Sequence, residues 1–139
     1  MLFRSIPKRT CRWIRNCRHL NTIEAVVEMD CLFCKFANKE IPLDFLYEDE
    51  DVFAINDIAP QAPVHILIIP KRHFENAGEV AGGEPATLAA MHNLAKKLAT
   101  EKNLDGYRSI FNTGASAGQS VFHAHLHLLG GRHFAWPPG

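Results

Sequence analysis

Three histidines at alternate positions, in the run Phe122-His123-Ala124-His125-Leu126-His127-Leu128-Leu129, constrain this chain more than any other feature. In an extended strand, residues two apart share a face and lie about 6.5–7 Å apart. The spacing therefore predicts a β-strand with a row of imidazoles on one side. Phe122, Ala124, Leu126 and Leu128 would form the opposite, apolar face and seat the strand on a core. A helix would scatter the same histidines around its circumference. Such a row suits two kinds of chemistry: holding a metal ion, or attacking a phosphoryl group and stabilising its charge.

The 139 residues allow one domain with a modest core. No apolar run reaches the roughly 18 residues of a membrane span, so no membrane partner is expected. The formal net charge of zero hides an asymmetry. Residues 1–28 carry Arg4, Lys8, Arg9, Arg12, Arg15 and Arg18 against Glu24 and Glu28, whereas the body from Met29 to Gly139 is net acidic. An acidic body is poorly suited to nucleic acid, whose non-specific binding needs several Lys or Arg on phosphates. The basic extension 1–28 has three readings: a mitochondrial presequence, a disordered tail, or sequence upstream of a start at Met29. It lacks the apolar stretch of a secretory signal. A cytoplasmic location is expected, or a mitochondrial one if the extension is a presequence.

Within 29–139, Cys31–Glu40 reads as a short helix with Asp30 as N-cap and Pro42 beyond its end. Phe45–Glu48 and Val52–Ile55 read as a hairpin around Asp49-Glu50-Asp51. Val64–Ile69 is a buried central strand stopped by Pro70, and Gly78–Pro85 a flexible connection. Ala86–Asn103 is the one long helix, with Leu88, Met91, Leu94, Ala95 and Leu98 on its apolar stripe. Tyr107–Phe111 is a further strand. This order predicts an α+β fold with an antiparallel sheet.

The loop before the histidines favours phosphate over metal. Gly118 lets backbone N–H groups approach an anion, Ser120 offers a hydroxyl and Asn112 an amide. With these residues in view, His123-Ala124-His125-Leu126-His127-Leu128-Leu129 resembles the signature of the histidine-triad (HIT) family. Gly118-Gln119-Ser120, Asp57–His65 and the terminal Trp136-Pro137-Pro138-Gly139 resemble its Hint branch. The resemblance spans about residues 30–139. It implies a five-stranded antiparallel sheet with one short and one long helix, and a homodimer in which the two sheets become continuous.

The resemblance also implies a hydrolase that cleaves purine nucleoside 5′-phosphoramidates, adenosine preferred, to AMP or GMP and an amine. His125 would be the nucleophile. His127 and Ser120 would serve the leaving amine and the phosphate oxygens, and His65 and His123 would complete the imidazole cluster. Asn112 and the backbone around Gly118 and Val121 would hold the phosphate. Asp57 would bind ribose with Asn56 beside it, and Leu32, Phe33, Phe36, Ile55 and Ile58 would form the slot for the purine. Asp57 could equally cap its own loop, and each apolar residue could be ordinary core. Ala117 stands where many relatives have glycine, and Asn56 where some have histidine. The hydrolysis would need no cofactor.

Cys31-x-x-Cys34 resembles the structural zinc site of some HIT proteins, completed by His73 or His65 and by His123; two sulfurs and two imidazoles make a sound tetrahedral set. Three rival functions stay open: a nucleotide-binding regulator without turnover, a zinc hydrolase with the histidines as catalytic ligands, and a dinucleoside polyphosphate hydrolase.

Overall fold

A computed structural model of the chain describes residues 30–139. The basic extension 1–28 and Met29 lie outside the described residues, and with them every reading of that segment. The first complete element among the described residues is a short helix, α1 (Leu32–Ala37), followed by the hairpin of β1 (Tyr47–Glu48) and β2 (Val52–Asn56). The side chain of Asp49 shapes the turn between them by accepting from the backbone N–H groups of Asp51 and Val52. Strand β3 (Val64–Pro70) follows, then the helices α2 (Ala77–Gly83) and α3 (Pro85–Glu101), and strands β4 (Tyr107–Ile110) and β5 (Leu126–Gly130). All strand pairs are antiparallel, in the order β1-β2-β3-β5-β4. The sheet and its strand count agree with the sequence expectation.

Alternation along the strands sends neighbouring side chains into two different cores. Val52, Ala54, Ile66, Ile68, Leu126 and Leu128 pack against Met91, Leu94, Ala95 and Leu98 of α3. Phe53, Ile55, Leu67 and Ile69 face the other way, against Phe33 and Phe36 of α1. The long helix thus closes one face of the sheet, and the second face carries the site. No described helix is long and apolar enough to cross a membrane.

The structure departs from the sequence expectation in several places. Cys31, not Asp30, is the N-cap of α1, and the helix ends at Ala37 rather than Glu40. Residues 77–83 form a helix where the glycines suggested a flexible connection. The side chain of Asn76 accepts from Glu79 N–H, and Glu79 accepts from Glu75 N–H, so a capping arrangement outweighs three glycines. The long helix begins at Pro85, where proline suits the first turn, and ends at Glu101.

The main correction concerns the triad strand. Strand β5 begins at Leu126, so His123 and His125 precede it and only His127 lies within it. The ladder between β3 and β5 runs from Val64↔Gly130 to Ile68↔Leu126. Pro70 has no N–H with which to extend it. Ala124 N–H instead donates to the Phe74 carbonyl at 2.6 Å. Phe122 is half-exposed, so the apolar face expected of it begins only at Ala124.

Met91 is fully buried at the centre of the helix-side core. Met91→Ala is expected to lower unfolding stability by about 2–5 kcal/mol, read from the urea midpoint at constant m-value.

Candidate active site

Three histidines converge on the face opposite α3. His65 enters from the start of β3 and His127 from β5. Their partners in the ladder are Leu129 and Leu67, so the two histidines are diagonal neighbours on one face. His65 Nε2 lies 2.9 Å from His127 Nδ1. The rings of His125 and His127 are 4.9 Å apart between centroids.

Their surroundings assign the protons. The Gln61 backbone N–H donates to His65 Nδ1 at 3.1 Å, so neutral His65 carries its proton on Nε2. That proton faces His127 Nδ1 and, at 3.3 Å, Asp57 Oδ2. With His127 Nδ1 accepting, the proton of His127 sits on Nε2, a buried atom with no hydrogen-bond partner among the described residues. His125 Nδ1–H donates to the His123 carbonyl at 2.6 Å, which leaves a lone pair on His125 Nε2. One ring therefore offers a nucleophilic nitrogen and its neighbour an unspent N–H.

Burial favours the neutral forms of His127 and His65. It pulls His127 down to about 4, the nearby His125 and His65 rings add to the effect, and Asp57 opposes it. Burial also lowers His65, again against Asp57.

The loop between β4 and β5 is a tight turn whose N–H groups at Gly114, Ala117, Gly118 and Gln119 bond within the loop itself. Gly114 and Gly118 have φ of 86° and 90° around the 3-10 turn Ala115–Ala117. A side chain would be strained at either position. A Cβ on Gly118 would stand 3.8 Å from Asn112 Nδ2, which puts the Asn112 amide beside the loop. Ser120 is exposed, whereas the Val121 side chain packs on the α1 core.

The residue that sequence reasoning missed is Gln119. Its buried amide accepts from Gly114 N–H at 2.9 Å and donates to the carbonyls of Glu75 at 2.7 Å and Val121 at 3.2 Å. It fixes both ends of the loop to the segment after β3. Its position between Gly118 and Ser120 was visible in the sequence, but its long-range partner was not.

Asp57 does one of the jobs open to it, capping its loop through Oδ1, which accepts from Ala59 N–H at 2.8 Å, and its Oδ2 faces His65. Of the residues expected to form a purine slot, Phe33 and Ile55 are buried core and Phe36 is half-buried. Leu32 is partly exposed, and Ile58 projects fully into solvent at 99% exposure. Asn56 is an exposed residue at the end of β2.

His123 is placed apart from the other triad members. Its fully buried ring meets His73 edge-on at 4.8 Å. Nε2–H donates to the Pro70 carbonyl at 2.7 Å, turning Nδ1 towards Cys31 Sγ at 3.3 Å and Cys34 Sγ at 3.6 Å. Cys34 Sγ lies 3.4 Å from His73 Nδ1. The four donor atoms fall within 4.8 Å of one another. Tetrahedral zinc bound by two sulfurs and two nitrogens has N···S edges of about 3.6 Å, so this set fits the ion. His65, the other candidate ligand, is engaged with His127 and Asp57 instead.

Residues 30–135 match the sequence profile of the family described as "Scavenger mRNA decapping enzyme C-term binding". An uncharacterized HIT-like protein of Synechococcus elongatus is 48% identical over 111 residues, 79% of this chain and 97% of that protein. The chain belongs to the histidine-triad superfamily. A HIT family hydrolase from Legionella pneumophila is 49% identical with a TM-score of 0.75, covering 79% of this chain and 100% of that one. A zinc-bound histidine-triad family protein from Mycobacterium smegmatis is 34% identical with a TM-score of 0.66, covering 76% and 77%.

His127 binds protons more weakly folded than unfolded, so the unfolded chain takes up the extra proton as pH falls. Its contribution to stability is complete above about pH 6.5 and is lost as pH falls towards about 4. Denaturant midpoints measured from pH 7.5 to 4 are expected to fall across that window, and less steeply in His127→Gln.

Proposed function

We propose that this histidine-triad protein hydrolyses purine nucleoside 5′-phosphoramidates, adenosine preferred, through a nucleotidyl-histidine intermediate. One observation carries the reading: His125, whose Nδ1 is spent on the His123 carbonyl so that Nε2 is the nitrogen left to react, stands next to a His127 ring whose buried Nε2 has no partner among the described residues. The hydrolase named among its structural relatives supports the same reaction class.

In the first step His125 Nε2 attacks the α-phosphorus, and the P–N bond to the amine breaks. His127 Nε2–H gives its proton to the departing nitrogen, which leaves as a neutral amine. The negative charge left on the His127 ring is held by the His65 Nε2–H that faces its Nδ1 and by the positive charge of the nucleotidyl-His125 ring beside it. In the second step water attacks phosphorus, His127 Nε2 takes the proton, and the phosphorus–His125 bond breaks to release the nucleoside monophosphate. Splitting the displacement in two is the usual gain of covalent catalysis.

The backbone of the Gly114–Val121 loop, Asn112 and Ser120 would hold the phosphate oxygens. Asp57 would accept from the ribose hydroxyls, with Asn56 beside it. Leu32, Phe33, Phe36, Ile55 and Ile58 would bracket the base. A second copy of this chain is the expected partner. Strand β4 leaves one edge of the sheet open, with Tyr107 and Ser109 exposed along it.

Zinc is proposed at Cys31, Cys34, His73 and His123, where it would crosslink α1 to the segments around β3 and the triad. This placement gives it no share in the displacement. Metal analysis is expected to find about one zinc per chain. Chelation is expected to lower the melting temperature while turnover at saturating substrate persists wherever the fold does. Loss of turnover in a chelated but folded protein would favour a metal hydrolase.

The decisive experiment follows amine release from an adenosine phosphoramidate, with quenched peptide mapping of the adduct. The expected adduct is on His125, and His125→Ala is expected to lose roughly 10⁴-fold or more in kcat. Binding of AMP without turnover by the intact protein would favour the regulatory reading.

A further inference from the structure

Each residue of the thiol–imidazole cluster is wired to the nucleotide site by its own contact. His123 is held at three points: Nδ1 on the cysteines, Nε2–H on the Pro70 carbonyl, and its own carbonyl on His125 Nδ1–H. Cys31 and Cys34 flank Phe33, whose ring packs edge-on against both His123 at 5.8 Å and His125 at 5.1 Å. His73 starts a segment bonded twice to the triad and its loop. The Phe74 carbonyl accepts from Ala124 N–H, and the Glu75 carbonyl accepts from the Gln119 amide that pins the Gly114–Val121 loop.

Among the described residues, helix α1 has few other contacts to fix its place. It is six residues long and has no side-chain N-cap bond. A helix this short is unstable without tertiary anchors. Its anchors are the Phe33 and Phe36 packing and the two cysteines. Cys31 and His73 also line a groove of about 400 Å³ together with Leu32, Ser120 and Val121, three residues assigned above to the nucleotide.

We propose that the metal centre and the nucleotide site are thermodynamically linked, so that zinc occupancy sets the affinity for the nucleoside monophosphate and the nucleotide in turn tightens zinc. The proposal rests on the nucleotide reading given above and goes beyond it by naming what regulates the site. With the four donors drawn together, α1 and His123 hold Phe33, the His123 carbonyl and the His73–Glu75 segment in one arrangement. Released, those parts must be ordered by the nucleotide itself, at the expense of its binding free energy. Linkage requires the two effects to be equal in size.

The test uses the full chain with zinc and AMP as probes. Titration calorimetry gives the AMP affinity of zinc-loaded and chelator-treated protein. A chromophoric chelator gives the zinc affinity with and without saturating AMP. The expected result is AMP binding about tenfold tighter with zinc, and zinc binding tighter by the same factor with AMP. Release of zinc from the loaded protein to excess chelator, which needs no folded metal-free form, is expected to slow when AMP is present. Gln119→Ala, which cuts the tie to Glu75, is expected to shrink the factor in both directions.

Equal AMP affinity with and without zinc, together with AMP-independent zinc release, would overturn the linkage and leave the proposed hydrolysis standing. Failure of AMP to bind either form would overturn both.

Discussion

The hydrogen bond from His125 Nδ1–H to the His123 carbonyl, at 2.6 Å, decides which nitrogen of the central imidazole is free to react. It is a local bond across two residues, yet it depends on distant partners. The His123 carbonyl points where it does because the His123 ring is fastened at both nitrogens, one to Pro70 and one to the cysteine cluster. A ring so fixed cannot turn to offer a different backbone geometry. The lone pair on His125 is therefore a product of the fold and needs no base to generate it at the moment of reaction.

A second chain of bonds runs Gln61 to His65 to His127 and ends at an N–H with no acceptor among the described residues. Burying an unsatisfied donor costs stability, on the order of 1–3 kcal/mol. Such a group is readily understood if an acceptor arrives with the substrate. Asp57 sits at the middle of this chain, its Oδ2 3.3 Å from His65 Nε2.

How much of this was legible in the sequence differs from element to element. The five strands and the long helix were, because β-branched runs, alternation and a 3.6-residue stripe are local patterns. The site residues most open to sequence reasoning were those with distinctive spacing: His125 and His127 from their alternation, and Cys31 and Cys34 from theirs. The helix at 77–83 was hidden by its glycines, although Asn76 and Glu79 carried its capping signal. The start of β5 was misjudged because the limit comes from Pro70 on a different strand, and no reading of the histidine run alone contains that fact. Gln119 escaped notice for the same reason, since its partner Glu75 is far away in the chain.

The two-faced sheet gives neighbouring residues of β5 unlike duties: Leu126 and Leu128 belong to the helix-side core, and His127 between them to the imidazole chain. Parity along the backbone is all that separates the two. A register shift of one residue along that strand would turn His127 onto α3 and a leucine onto the site, so that it would erase both packing and chemistry. Point substitutions can drift on this scaffold, but the register of this strand cannot.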